Sequence, residues 1–515
     1  MSKTPQVLQR LTGWKVSILK TEIPAAANSC TSQMTSKEDA VGGEKNIGFY
    51  GGVMLMVNSI TGPGLLIVPL LFQQAGYVTP LLTMFLIGGV SWLSAVMLCA
   101  AMERVPGNQQ FKGRVEFTGV AKAFFPHWLY IITVFLLMAS IISSFIPAVV
   151  VSAQTADEAI IQLFGKTFAF RFSSLGLTQA DHLPESGSSP FDDEYVFSIG
   201  YLLALAATIP MGLFNLDDNI IVQKGAAVML LLIFIEWMVC CFVLGFHSAL
   251  VSAFTSDQSN VLGSIIFNFA FITTVPSWCN EKAPGVSVKK TMTVSVVTAT
   301  VFYAVIGLLG GFSLTFNPGS NLLIAIEEST VNIRPLYYVS CVCVYLFPLV
   351  AVLTTLAVYS IIMKYNLVEN GICNRNWATF WAVVFPWVIS ILLYPGSGFL
   401  DVINWTSLCI NGVVNFVIPL CLYIASRRSK FTRQTHTIHT EEGMTHDESH
   451  EKSCEFVTHV QVTSETEEEQ PPFDVFPPNR YVKGTHLAMV TIIIVTLVSI
   501  AVVINNIVLS IQGML

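Results

Sequence analysis

"NSITGPGLLIVP", residues 58–69, is the stretch on which the reading of this chain turns. It lies inside an apolar run long enough to cross a bilayer, yet it opens with Asn58 and carries Gly62, Pro63 and Gly64 in succession. Proline removes a backbone donor and glycine weakens a helix, so the helix should break here. At membrane depth such irregular backbone is tolerated only where it is buried in protein or lines a polar cavity. The stretch therefore marks either a binding site or a kink that lets two helices approach closely.

Composition sets the membrane context. The 515 residues are 53% hydrophobic and only 11% charged, with a mean hydropathy of +0.64; a soluble surface needs far more mixed charge. A net charge of −7 offers no long basic face for nucleic acid, and no zinc-finger, P-loop or GxSxG spacing occurs. No nucleic-acid partner, enzymatic activity, cofactor or metal site is expected.

About 20 apolar residues make one crossing. Eleven candidate spans follow: 48–74, 79–102, 127–154, 195–214, 221–246, 260–279, 291–314, 335–363, 377–395, 400–426 and 486–511. The expected fold is an all-α polytopic membrane protein. Its parts are an N-terminal tail (1–46), a core of ten helices (47–426), an inner loop (427–485), and an eleventh helix with a short outer terminus (486–515). Lysines and arginines favour the cytosolic side. With the N-terminus inside, Lys45, Arg104, Lys112, Arg114, Lys122, Lys282, Lys289, Lys290, Arg427 and Arg428 are cytosolic, against Lys166, Arg171 and Arg334 outside. Either a plasma membrane or a lysosome or vacuole suits this arrangement.

Two connections are long. Asp157 to Glu194, with "HLPESGSSPFDDE", reads as a solvated outer segment, the other reading being a cap on the outer mouth. Arg427 to Lys483 starts basic ("RRSKFTR") and turns acidic ("SETEEEQ"), a composition that does not bury enough apolar surface to fold. The N-terminal tail and this loop are where cytosolic regulators would act, and the basic start of the loop is where anionic lipid would touch. Cysteines fall in spans or inner segments, Cys279 and Cys373 among the latter, so no disulfide framework is implied.

A second interruption shifts the first toward a site. "FNFAFITTVPSWCNE", residues 267–281, puts Thr273, Thr274, Val275, Pro276 and Ser277 inside span six, five spans after the first break. Interrupted helices at corresponding places in two halves point to a transporter site between inverted repeats, here spans one to five and six to ten. Half-helix N-termini suit a carboxylate and half-helix C-termini an ammonium group or Na⁺. Gly62 and Gly64 let a ligand approach the main chain, and an α-amino acid fits both ends at once.

At these residues the sequence resembles the amino acid/auxin permease family of the amino acid–polyamine–organocation group. The matching residues are Asn58, Gly62, Gly64, "LLIVP" with Pro69, Gln74 and Gly76, then "PSWCNEKAP" (276–284) with Glu281 and Lys282, and "FVIPLCLYI" (416–424). The resemblance implies a LeuT-like fold of 5+5 inverted repeats with one extra C-terminal helix. It implies that main chain around Ile60, Thr61, Gly62, Gly64 and Leu65 holds the substrate, opposite Thr273, Thr274 and Val275. Asn58 matches an asparagine linked to cation binding, and Ser340, Thr354 and Thr355 are the candidates for a hydroxyl in span eight that would complete a Na⁺ site.

Ionisable groups inside a membrane are functional by default. Glu236 in span five is the candidate for H⁺ coupling, the first choice, with Na⁺ the second. Glu103 and Glu281 read as helix-end groups near Arg104 and Lys282, and Glu327 and Asp401 as solvated outer residues. Ser143 and Ser144 face either the cavity or a neighbouring helix, Ser277 joins the substrate list, and Trp278 is a candidate wall. Asn404, in "NWT", falls at the start of span ten and is expected to carry no glycan. The function expected is secondary active transport of small neutral amino acids. The rivals are a non-transporting amino acid sensor and a transporter of another solute such as auxin or a polyamine.

Overall fold

The computed structural model describes residues 44–182, 189–191, 194–317, 320–391, 399–429, 475 and 484–514. Most of the expected N-terminal tail and inner loop, and the side chain of Asp401, lie outside the described residues.

The first span is two helices, α1 (Phe49–Ile60) and α2 (Val68–Ala75), joined by a 3₁₀ turn over Pro63–Ile67 and bent by 50°. Pro63 opens that turn, where its missing N–H costs nothing. Gly76 then reverses the chain at φ 81°, pressed so closely on the Ala253 carbonyl that a Cβ would lie 2.5 Å from its oxygen. Helices α3 (Val78–Glu103), α4 (Phe117–Phe124) and α5 (His127–Phe164) follow. At 38 residues α5 is about 57 Å long, well beyond a 30 Å hydrocarbon core.

Next come α6 (Ile199–Leu213) and α7 (Leu216–Leu244). Span six is α8 (Val261–Asn268), a 3₁₀ turn over Ile272–Thr274, and α9 (Val275–Glu281). The chain continues through α10 (Val288–Ser313), α11 (Leu322–Thr330), α12 (Arg334–Phe347) and α13 (Leu353–Glu369), the last two joined by a π-helical turn at Pro348–Val352. Helices α14 (Arg375–Thr379), α15 (Phe385–Ile391), α16 (Phe399–Thr406), α17 (Ile418–Arg428) and α18 (Gly484–Met514) complete the order, with further π-helical turns inside the ninth and tenth expected spans.

Among the described residues eight helices are long and apolar enough to cross a membrane, and nine if the bent pair counts as one. The other two expected spans correspond to α6, only 15 residues, and to α14 with α15.

The segment after Asp157 departs from the all-α, solvated expectation. Three antiparallel strands, β1 (Thr167–Arg171), β2 (Gly176–Ala180) and β3 (Val196–Ser198), form a sheet in the order β2-β1-β3. Asp157 is buried within α5 and accepts bonds from the Gly200 N–H at 2.8 Å and the Thr167 hydroxyl at 2.9 Å, which ties sheet to helix. Its Oδ1 thereby satisfies two donors that would otherwise be orphaned.

Packing separates the helices into two groups. Helix α10 lies on α1, α2 and α3, and α3 on α8 and α9; α5, α6, α13 and α15 pack mainly on one another. Both interrupted spans belong to the first group. Cys279, expected in a loop, is instead wholly buried in α9 with its sulfur 3.5 Å from that of Cys99 on α3.

Candidate functional site

The break in span one leaves α1 open at its C-terminal end, where Thr61 returns its N–H and its hydroxyl to the Val57 carbonyl, each at 2.8 Å. Ile60 and Leu65 are buried on either side. The Ile60 carbonyl accepts from the Tyr303 hydroxyl of α10 and from the Gly62 N–H. Tyr303 also reaches Asn268 Oδ1, at 3.2 Å, at the end of α8. Span one, span six and α10 thus meet at one phenol.

The two glycines do different work. A Cβ on Gly64 would lie 1.9 Å from Asn268 Oδ1, so only glycine lets the two broken helices approach here. Gly62 is buried as well, yet a Cβ there would meet no atom within 4 Å. Open space therefore lies inside the protein at the break.

Several buried polar atoms at the breaks have no hydrogen-bond partner: Asn58 Oδ1, Asn268 Nδ2 and Thr274 Oγ1. Leaving such groups unpaired costs about 1–3 kcal/mol each, an outlay that a site recovers when a ligand binds. Thr273 and Val275 are buried beside Thr274, and the Ile272 N–H is taken by Asn415 Oδ1 at 3.0 Å. No ionisable side chain occurs in residues 58–69 or 267–277. Charge recognition there falls to backbone dipoles and neutral side chains.

A second cluster adjoins the first. Asn58 Nδ2 donates to the main-chain oxygen and to Oε1 of Gln223 on α7, both at 2.9 Å, and Gln223 Nε2 donates to the Thr354 carbonyl at 3.1 Å. The Thr355 hydroxyl lies 3.3 Å from the Asn58 carbonyl and 2.7 Å from that of Ala351. This places Thr355 toward span one, whereas the Thr354 hydroxyl returns to the Val350 carbonyl of its own span at 2.7 Å.

Ser340 does not join this cluster. Its hydroxyl donates to Glu236 Oε1 at 2.6 Å, and Glu236 Oε2 is without a partner. Glu236 sits on α7 past its middle, thirteen residues beyond Gln223, about 20 Å of helix rise. The expected coupling residues thus form two separate groups, Asn58 with Thr354 and Thr355, and Glu236 with Ser340.

Two other expected residues face elsewhere. Ser143 lies 3.3 Å from Asn411 Oδ1, which Ser140 also reaches at 2.6 Å, so it joins span three to span ten. Ser277 donates to Glu116 at 2.7 Å, on the connection between α3 and α4. Glu281 accepts from Tyr365 on α13 at 3.0 Å while Lys282 lies over the Phe111 ring, and Glu327 accepts from Gln162 and Tyr345. Glu327 is therefore half-buried and bonded, not simply solvated. Trp278 is buried against Gly52 of α1, and Asn404 is buried and bonded to Asn260.

Gln223, Asn268, Tyr303 and Glu116 were not singled out from the sequence. Gln223 and Asn268 carried one usable signal, a lone polar residue within an apolar span.

The model of the family described as "transmembrane amino acid transporter protein" matches residues 45–444. The chain belongs to that family. The transporter is similar in structure to MhsT in complex with L-phenylalanine, with a TM-score of 0.51 and 13% identity over 75% of this chain and 89% of that one. It is also similar to Mhp1, a nucleobase-cation-symport-1 family transporter in a closed conformation with bromovinylhydantoin bound, with a TM-score of 0.49 and 13% identity over 73% and 80%. No curated protein sequence matches it. The fold is LeuT-like and the transporter is an integral, multi-pass membrane protein.

Proposed function

We propose that this transporter moves small neutral amino acids by alternating access, rocking one of the two helix groups against the other around the paired breaks. The observation that carries the reading is the open space at buried Gly62 together with the unpartnered Asn58 Oδ1, Asn268 Nδ2 and Thr274 Oγ1 at the breaks. A zwitterion supplies the missing partners: its ammonium group faces carbonyls at the end of α1, and its carboxylate faces N–H groups at a half-helix start. The lack of ionisable side chains at both breaks favours a neutral substrate over a polyamine. The lysine-rich connections face the cytosol together with the N-terminus, in a plasma membrane or the membrane of a lysosome or vacuole.

Coupling follows the oxygens. Asn58 Oδ1, the Asn58 carbonyl and the Thr355 hydroxyl suit a small hard cation, which favours Na⁺. The second reading is H⁺ coupling through Glu236, supported by its unpartnered Oε2.

The test is uptake of labelled neutral amino acids into proteoliposomes under an inward Na⁺ gradient, an inward H⁺ gradient, or neither. Accumulation with Na⁺ supports the Asn58 site and accumulation with H⁺ moves coupling to Glu236. Binding without accumulation under any gradient rejects transport in favour of a sensor.

A further inference from the structure

Glu116 is 2% exposed although it lies in the connection between α3 and α4. It starts α4, and that start is riveted to α13: Thr118 N–H and hydroxyl both reach Asn366 Oδ1 at 3.0 Å, and Asn370 Nδ2 donates to the Thr118 hydroxyl at 2.6 Å. The carboxyl itself reaches across to α9. Ser277 donates to Oε2 and Asn280 Nδ2 to Oε1, each at 2.7 Å, and Asn366 Nδ2 lies 3.5 Å from Oε2. Helices α9 and α13 belong to different packing groups, so this one side chain spans the seam that must part if this end is to open.

The bonding pattern places a proton. Asn280 Oδ1 accepts from the Val115 N–H at 3.0 Å, so its NH₂ must face Oε1, which stays an acceptor. Asn366 Oδ1 is likewise held by Thr118, turning its NH₂ toward Oε2. Only the Ser277 hydroxyl both donates and accepts. A proton on Oε2 is therefore donated to the Ser277 hydroxyl, whose bond to Glu116 reverses while those from Asn280 and Asn366 keep their direction.

The titratable groups facing Glu116 are Glu281 at the end of α9 and Glu369 at the end of α13, both repelling an ionised carboxylate, and the Tyr365 phenol on α13. The cations of this end act on those neighbours: Lys45 and Lys364 on Glu281, and Arg114 on Glu369.

We propose that Glu116 is a proton-binding site that latches this end of the transporter: protonated at Oε2 it fastens α9 to the α4–α13 unit, and on losing the proton to water it lets them part. Burial, with the repulsion of Glu369 and Glu281, pushes this carboxyl up to about 8 despite the bonds from Ser277 and Asn280. A carboxyl raised in the closed form and ordinary in the open one stabilises closure fully at low pH, and that stabilisation is lost as pH rises through the raised value. The latch rests on neither the substrate nor the coupling ion.

The test reads opening through native Cys279, wholly buried between Ser277 and Asn280. The full chain in detergent is alkylated with a small maleimide from about pH 6.5 to about pH 8.5, with the Cys279 peptide quantified by mass spectrometry in wild type and Glu116→Gln. Glutamine is neutral like the protonated carboxyl, so the ratio of wild-type to variant rates isolates the pH dependence that Glu116 contributes. The ratio should rise about 25-fold over that range. A ratio that stays constant overturns the latch. If Glu116→Gln does not purify as a single species, hydrogen exchange across residues 275–281 of the wild type decides: protection corrected for intrinsic rates should fall with pH, and flat protection overturns the proposal.

Discussion

The Thr355 hydroxyl lies 3.3 Å from the main-chain oxygen of Asn58, joining span eight to span one just before the helix breaks. Thr355→Val keeps the volume and deletes the oxygen. If a cation sits there, the concentration of Na⁺ giving half-maximal uptake should rise at least about tenfold, the loss of one oxygen ligand being worth more than 1.4 kcal/mol. Thr355→Ser should stay near wild type. An unchanged Na⁺ curve in the valine variant would remove this site from coupling.

Gly62 and Gly64 should separate function from stability. Gly62→Ala meets open space, so thermal stability should hold within about 0.5 kcal/mol while uptake falls as the methyl occupies the site. Gly64→Ala drives a methyl into Asn268 and should lower stability by about 1–3 kcal/mol. Thermal unfolding in detergent and uptake, measured on both variants, check the pair. Equal loss of stability would mean that the space at Gly62 is not there.

Tyr303→Phe removes the hydroxyl that holds the Ile60 carbonyl and Asn268 together. The cost should be about 1–2 kcal/mol in unfolding free energy, with a higher KM for the amino acid as the two breaks lose their common anchor. A variant with wild-type KM would limit Tyr303 to packing.

Glu236→Gln offers the opposite expectation. Because Glu236 pairs with Ser340 well away from Asn58, Na⁺-driven uptake should remain within about twofold of wild type. Loss of accumulation confined to H⁺ gradients would instead install Glu236 as the coupling group.

Much of the scaffold was legible because the membrane enforces it. Long apolar runs can only be helices there, and the Gly-Pro-Gly of 62–64 and the "TTVPS" of 273–277 interrupt helices for reasons that backbone chemistry alone supplies. The partners of those breaks were not legible. Gln223, Asn268 and Tyr303 are single polar residues in apolar surroundings, and which of them face inward depends on helix rotation. Ser277 shows the same limit: it lies in the right motif, but its hydroxyl turns toward Glu116, a residue 161 positions away. The sheet was missed because Asp157, read as the start of a solvated segment, is the buried peg that holds it.

The π-helical turn at Pro348–Val352 accommodates one residue more than an α-helical turn would. Everything after it, Thr354 and Thr355 included, is rotated by about 100° relative to an uninterrupted α-helix. Deleting a single codon within that turn would leave hydropathy, length and every named side chain almost unchanged. It would also swing Thr355 off the face that meets Asn58. If Thr355 holds the coupling ion, closely similar chains that differ by such a one-residue gap should differ in which ion they need.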